Sequence, residues 1–253
     1  MNHKKNKKLF WQLPFLALLI IGTILIIKHQ NEIPYQHNKG FVFGTVYNIT
    51  YQSDKDLQKE IEAELKKVDN SLSTFNKQSI ISKINNNEPT QLDEKFVEVF
   101  DKAKFISKET DGAFDITVAP LVNLWGFGFK EGKNPSKHKI DNIMQFIGYE
   151  KVSLIGKGIK KTNPKIMLDC SAIAKGYGTD VVARFLKKND IQNFMVEIGG
   201  EIVVSGISES RSPWKIGVNK PVEDKGNENS EIQAILNITN KAMATSGNYR
   251  NFY

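Results

Sequence analysis

The pattern of apolar and polar positions divides the chain into an apolar N-terminal run and a longer region with mixed helical and strand periodicity. Residues 9–27 contain no charged side chain. As a helix such a stretch rises roughly 28 Å, close to the thickness of a bilayer core. We therefore predict a transmembrane anchor over residues 9–27, preceded by a basic N-terminus at residues 1–8 and followed by a polar linker over residues 28–40.

The lysines before the apolar run favour a cytoplasmic N-terminus by the positive-inside rule. A cleaved signal peptide would carry the same flanking charge. However, the end of the run and the residues after it, "GTILIIKHQNE", contain no A-x-A-like cleavage site. No cysteine lies directly after the run to accept a lipid anchor. The sequence thus predicts a single-pass protein of the cell membrane with its globular domain outside the cytoplasm.

The first half of this globular domain combines one strand pattern with two amphipathic helices. Residues 41–51, "FVFGTVYNITY", predict a strand in which Gly44 marks a bulge or a close backbone approach. Ser53 is a candidate cap for a helix. Its apolar positions follow helical spacing at Leu57, Ile61, Leu65, Val68 and Leu72. A second amphipathic helix is predicted after Asp93, ending near residue 111.

The second half is dominated by strand patterns. "KVSLIGKGIKKT" predicts a hairpin, and "FMVEIG", "EIVVSG", "WKIGVN" and "IQAILNIT" predict strands separated by turns. Residues 166–168 predict a further strand, and "GYGTDVVARFLKK" a helix. The pattern favours an α+β fold: a single domain over residues 41–253 that combines helices with an antiparallel-rich sheet.

Composition narrows the function classes. The 253 residues are 40% hydrophobic and 25% charged, which is typical of a globular protein. Five lysines and no acid lie in residues 1–28, so the net charge of +7 falls to about +2 for the rest, and no nucleic-acid partner is expected. The single cysteine, Cys170, excludes an intramolecular disulfide and a Cys-rich zinc site, and a small packed thiol is expected there.

The stretch "LDCSAIAKGYGTD", residues 168–180, is the first candidate for chemistry. A helix start offers backbone N–H groups to an anion, small side chains allow close approach, and Lys175 adds positive charge. The spacing is not that of a Walker A loop. A phosphate site and a capped structural helix both account for this stretch.

Three other segments place polar residues and glycines where apolar core is expected. In "TDGAFDITVAPLVNLWGFG", Asp115 lies among apolar neighbours and needs either a donor or a turn to cap. In "VEIGGEIVVSG", Glu197 and Glu201 bracket two glycines that a bulged hairpin would explain. The C-terminal "ATSGNYRNFY" has the composition of a turn. Taken singly, each segment has a structural explanation.

Taken together, the segments resemble a known family. "FGTVYNI", "SLSTFNKQSIISKIN" and the four segments above occur in the order and approximate spacing of the ApbE family, the FAD:protein FMN transferases (flavin transferases). The resemblance covers residues 41–253. It implies Mg²⁺-dependent transfer of FMN from FAD to a Thr or Ser hydroxyl of a partner flavoprotein, with release of AMP. The acceptor would be a protein such as an extracytoplasmic electron-transfer protein.

The resemblance also implies roles for individual residues. FAD contacts are implied at Phe43, Phe75, Ala113, Phe114, Asp115, Asp169 and Lys175. Asp169 and Lys175 are the implied catalytic residues, and Ala172 matches the position whose backbone carbonyl binds magnesium. Two other activities would use the same pocket: a non-catalytic FAD-binding ectodomain, and a pyrophosphatase that cleaves FAD to FMN and AMP.

The sequence departs from the family pattern at its end. Family members continue past the "SGNYRNFY" segment into an H-x-I-D-P-x-T-G-like stretch and a segment that supplies an Asp and a Thr to the metal. The sequence stops at Tyr253, before both. A C-terminally incomplete domain with part of the metal site is therefore expected.

Overall fold

The computed structural model describes residues 7–127, 135–220 and 231–247, with the backbone alone at residues 7–11 and 29–32. The helices are α1 (Lys7–Glu32), α2 (Gln58–Leu72), α3 (Ile80–Asn85), α4 (Glu94–Glu109), α5 (Ala119–Leu124), α6 (Lys137–Met144) and α7 (Ser171–Lys188). The strands are β1 (Tyr35–Val42), β2 (Thr45–Gln52), β3 (Val152–Ile155), β4 (Gly158–Lys161), β5 (Phe194–Ile198), β6 (Glu201–Ser205), β7 (Trp214–Asn219), β8 (Ile232–Ile238) and β9 (Lys241–Met243).

Antiparallel pairing organises the sheets, as the strand patterns predict. The main sheet has the order β1-β2-β5-β6-β9, and β3-β4 and β7-β8 form two-stranded sheets. β5 lies at the centre, and its residues alternate between buried and half-buried. Such alternation is expected where one face of a sheet covers the core. The mixed helix and antiparallel-sheet architecture is confirmed.

Helix α7 lies between two hydrophobic clusters. Ala174, Tyr177 and Val181 join a cluster that contains residues of α2, α3 and α4. Val182, Ala183 and Leu186, on another face of the helix, join a cluster formed with β2 and β5. Because α7 packs in both clusters, the side chains of its first turns that belong to neither cluster are held in a fixed position relative to the main sheet.

Two predicted elements differ in the structure. The strand predicted over residues 41–51 is a hairpin, with a two-residue turn at Phe43-Gly44 in place of a bulge, and its first strand begins at Tyr35. No strand forms at residues 166–168. The Asn85 side chain instead donates to the Leu168 carbonyl (2.9 Å) and accepts from its N–H (2.7 Å). These side-chain bonds satisfy the groups that a neighbouring strand would otherwise pair.

The starts of the two predicted helices have different outcomes. Helix α4 follows Asp93 as predicted, and Asp93 caps it by accepting from the Phe96 N–H at 2.7 Å. Ser53 does not cap α2, because that helix begins only at Gln58. Ser53 Oγ accepts from the Lys55 N–H, and Asp56 Oδ1 accepts from the Gln58 N–H at 3.0 Å. The N-cap residue of α2 is Leu57, and no side chain makes the cap bond predicted for Ser53.

The predicted anchor falls within α1, which contains Pro14. Among the residues that the structure describes, none of the helices combines the length and the apolar character needed to cross a membrane. The anchor over residues 9–27 stays a prediction.

Candidate functional site

The tip of the β1–β2 hairpin forms one wall of the candidate site. Phe43 and Gly44 both have left-handed backbone conformations, with φ of 52° and 74°. Such a pair makes the tight turn whose twist suits a hairpin. The left-handed region is rare for a bulky aromatic residue, so the conformation of Phe43 requires support from the surrounding structure. Its half-buried ring packs against both hydrophobic clusters.

A cavity of about 820 Å³ opens beside this tip. Phe43 lines it, and so does Phe75, which lies after α2 with 69% of its surface exposed. Tyr47 also lines the cavity and donates to Glu62 Oε1 at 3.0 Å. Burial, reinforced by Glu62, raises the pKa of Tyr47 to about 12, so it remains a protonated donor. The structure thus brings the two implied flavin-contacting aromatics to one cavity.

The two implied FAD-binding carboxylates lie on separate backbone segments that a hydrogen bond joins. Asp115 Oδ1 accepts from both the N–H and the hydroxyl of Thr117 at 2.7 Å, and so caps a short 3₁₀ helix, Ile116–Val118. The Asp169 N–H donates to the Ile116 carbonyl at 2.7 Å, and Asp169 Oδ1 accepts from the Ser171 N–H at 2.7 Å. Asp115 therefore makes a local capping bond, and Asp169 makes a local bond to the first residue of α7.

The other two residues of the "GAFD" motif differ in their surroundings. Ala113 is exposed, whereas Phe114 is half-buried against the hydrophobic cluster that contains residues of α2, α3 and α4. Phe114 therefore contributes to packing. Among the described residues, neither Asp115 nor Asp169 forms a hydrogen bond or ion pair with Lys175.

Lys175 lies in the second turn of α7, because this helix begins at Ser171. The sequence pattern predicts a helix start at Gly176, with Lys175 just before it. Its Nζ donates to the Gly199 carbonyl at 3.1 Å and lies 3.2 Å from Glu201 Oε1. The Lys175 side chain is 33% exposed and that of Glu201 is 14% exposed. Because an ammonium group has three N–H donors, these two acceptors leave one direction for a ligand.

The turn between β5 and β6 supplies both acceptors of Lys175. Gly199 and Gly200 have φ of 55° and 91°, and Ile198 pairs directly with Glu201. The turn is therefore a regular two-residue hairpin, and the bulge suggested by the sequence is absent. Glu197 stabilises the turn, accepting from Asn48 Nδ2 at 2.6 Å and from the Gly200 N–H at 2.9 Å. Only Glu201 faces Lys175, a distinction that the symmetric "EIGGE" pattern does not reveal.

A second cavity, of about 530 Å³, is lined by Glu201 of this ion pair. Ala172, Tyr177, Asp180 and Glu201 are among the residues that line it. The Tyr177 hydroxyl donates to Glu98 Oε2 at 2.7 Å. Burial raises the pKa of Asp180, an effect that Arg184 opposes and Glu98 reinforces. In the part of the chain that the structure describes, no group of three or more His, Cys, Asp or Glu side chains is placed to hold a metal ion.

Cys170, beside these residues, is a packing residue as predicted. It is buried in the first hydrophobic cluster. Burial, with a smaller contribution from the Asp169 carboxylate, raises the pKa of the thiol to about 12. The thiolate is the nucleophilic form, so Cys170 is not a candidate nucleophile.

Comparison with known proteins gives one consistent family. Residues 43–253 match the sequence model of the ApbE family. The FAD:protein FMN transferase of Vibrio cholerae is 37% identical over 248 residues, covering 93% of this chain and 73% of that protein. The FAD:protein FMN transferase of Haemophilus influenzae is 36% identical over 231 residues, covering 85% and 66%.

A solved structure gives the same answer. The solved structure of the flavin transferase ApbE from Vibrio cholerae superposes with a TM-score of 0.78 at 36% identity. The match covers 87% of this chain and 74% of that one. The chain thus spans between about two thirds and three quarters of the length of these relatives.

Proposed function

The chain belongs to the ApbE family, and on this premise we propose that it transfers the FMN moiety of FAD to a threonine or serine hydroxyl of a partner flavoprotein. The observation that carries the proposal is the position of Lys175. Its ammonium donates to the Gly199 carbonyl and pairs with Glu201, which lines the second cavity together with Ala172. Its stem lies against Gly199, which also packs against Thr45 beside the hairpin tip. The last segment of the family resemblance runs past residue 247 and lies partly outside the described residues.

The first cavity has the chemistry to hold an isoalloxazine ring. Aromatic rings gain from offset stacking on other flat π-systems, in addition to the area they bury. Phe43 is fixed by the clusters on either side of it, whereas Phe75 lies exposed on the cavity wall. We propose that the flavin binds between this wall and the hairpin tip, with the pyrophosphate directed toward Lys175.

The reaction would be a phosphoryl transfer. The acceptor hydroxyl oxygen forms a bond to the phosphorus of the FMN phosphate, the bond from that phosphorus to the bridging oxygen breaks, AMP leaves with the oxygen, and the hydroxyl proton is released. Such transfers depend mostly on positioning and on neutralising charge. Lys175 would provide both, because its ammonium is held by the Gly199 carbonyl and its charge would face the pyrophosphate.

A magnesium ion would supply further neutralisation of the leaving AMP. Ala172, Asp180 and Glu201 line the second cavity, and backbone carbonyls and carboxylates are hard oxygen ligands of the kind that magnesium prefers. Magnesium commonly retains water and binds phosphate oxygens in addition to one or two protein ligands. We propose that the Ala172 carbonyl is one of those ligands.

The transfer is tested with the full 253-residue chain, FAD, Mg²⁺ and a flavoprotein domain that carries a threonine acceptor site. We expect the acceptor to gain the mass of FMN minus water, and AMP to appear in equal amount. An acceptor whose threonine is replaced by alanine is the control and should gain no mass.

Two outcomes would replace the proposal by one of the alternatives. Release of AMP at the same rate without any acceptor would indicate an FAD pyrophosphatase. Tight FAD binding with neither AMP nor a modified acceptor would indicate a non-catalytic FAD-binding domain. Absence of FAD binding would contradict all three.

We also propose that residues 9–27 anchor the protein in the cell membrane, with the flavin site outside the cytoplasm. The support is the uncharged sequence, its lysine-rich flank, and the exposure of the large apolar side chains of α1 between Leu13 and Ile27. Protease added to intact spheroplasts is expected to remove the globular domain and spare an N-terminal tag. Cleavage of the tag before lysis, or release of the intact chain by high salt alone, would contradict the anchor.

A further inference from the structure

We propose that Gly178 is a positioning residue for the flavin site, because the missing side chain of this helical glycine leaves the space in which the Phe43 ring sits. The inference rests on the proposed function, in which Phe43 contacts the flavin. It assigns a role to a residue that touches neither FAD nor the acceptor.

The contact between Phe43 and α7 leaves no room for a side chain at Gly178. A Cβ atom at this position would lie 2.6 Å from Phe43 Cε2 and 3.3 Å from Phe43 Cζ. A real Cβ essentially never approaches another atom within 3.0 Å. The ring therefore lies against the bare helix backbone, and any larger residue would displace it.

The same hairpin tip meets a second glycine at the β5–β6 turn. A Cβ at Gly199 would lie 2.6 Å from Thr45 Cγ2 and 3.2 Å from Lys175 Cδ. Thr45 follows the hairpin turn, so the tip packs against two glycines, Gly178 and Gly199, and Gly199 also lies against the Lys175 stem. Gly199 has a positive φ and needs glycine for that reason also. Gly178 is helical, so the Phe43 ring is the reason for its lack of a side chain.

Both positions depart from the locally preferred choice. A glycine inside a helix is less favourable than alanine, and a phenylalanine with φ of 52° is in a rarely populated conformation. The two unfavourable features meet in one contact. Lys175 and Gly178 are three residues apart, on the same face of α7. The contact between Phe43 and Gly178, here called the seat, therefore fixes the Phe43 ring relative to Lys175.

The test is a double-mutant cycle of Gly178→Ala and Phe43→Leu, with flavin-fluorescence titration of FAD and thermal unfolding as readouts. Leucine lacks the Cε2 and Cζ atoms that meet the new methyl group. We expect Gly178→Ala alone to weaken FAD binding about fivefold or more, through displacement of the ring. In the Phe43→Leu background the same change should alter FAD affinity less than twofold, a coupling that independent sites do not show.

Gly176→Ala is the control for helix propensity. It lies on the same helix, with no atom within 4 Å of the added Cβ. Its Tm is expected to stay or rise, whereas Gly178→Ala is expected to lower the Tm by about 2–4 °C or more.

The outcomes separate this inference from the proposed function. A wild-type chain that does not bind FAD contradicts the proposed function, while the coupling between the two positions in Tm still tests the seat. Equal Tm changes for Gly178→Ala in both backgrounds would overturn the seat itself. Coupling in Tm with unchanged FAD affinity in Gly178→Ala would leave a packing contact and overturn the positioning role.

Discussion

Lys175→Met is expected to weaken FAD binding by about 10- to 150-fold, the loss associated with a hydrogen bond to a charged group. Methionine keeps a flexible stem of similar length but carries no charge, so it retains most of the packing against Gly199. The lost interaction is the one with the pyrophosphate. FMN, which has a single phosphate, should lose less affinity than FAD. Titration of both flavins with wild type and variant measures the difference.

Two further variants make this result interpretable. Removing Lys175 leaves the carboxylate of Glu201, only 14% exposed, without its cation. Some loss of stability is therefore expected in Lys175→Met, and Lys175→Met/Glu201→Gln should recover stability without recovering FAD affinity. Lys187→Met, an exposed position on the same helix, is the charge control and should bind FAD as wild type does. Equal losses at positions 175 and 187 would contradict a specific role for Lys175.

The sequence predicted most of the long elements. β5 to β8 occupy the segments whose patterns predicted them. β5, β6 and β7 each have one face on the core, which gives a period of two, whereas β8 is exposed along almost its whole length. α4 begins after Asp93, as predicted. The short helices α3, α5 and α6 were not predicted. A helix of six to eight residues is held by tertiary contacts such as that between Asn85 and Leu168, which periodicity does not record.

The candidate site was predictable in its residue types but not in its geometry. Phe43 and Phe75 do share a cavity, a fact that follows only from the packing of the β1–β2 hairpin beside the end of α2. Glu201 was noted with Glu197, but residue types alone could not separate the two. The separation is a property of the turn, which directs one carboxylate to Asn48 and the other to Lys175. The role of Gly178 could not be predicted from the sequence, because a glycine inside a helical pattern lowers helix stability and does not by itself indicate which side chain packs against it.

The effect on stability is expected to be largest at the centre of the main sheet, where Phe194→Ala should reduce the free energy of unfolding by about 3–5 kcal/mol. Phe194 is 0% exposed and packs in the cluster that α7 shares with β2 and β5. It pairs with Tyr51 on one side and with Ser205 on the other. The neighbours are held by sheet hydrogen bonds, so they can close little of the cavity left by the ring.

The matched control is Phe105→Ala, which removes the same ring from α4 at a position 58% exposed. Its effect is expected to stay within about 0.5 kcal/mol, as for most surface substitutions. Urea unfolding of the three proteins measures both changes, with the midpoint shifting and the slope unchanged. A domain of this kind is stable by about 5–15 kcal/mol, so Phe194→Ala would remove a large share. β5 ends at the turn whose Gly199 carbonyl accepts from Lys175. A shift of the urea midpoint no larger than that of the control would therefore mean that this strand does not anchor the site.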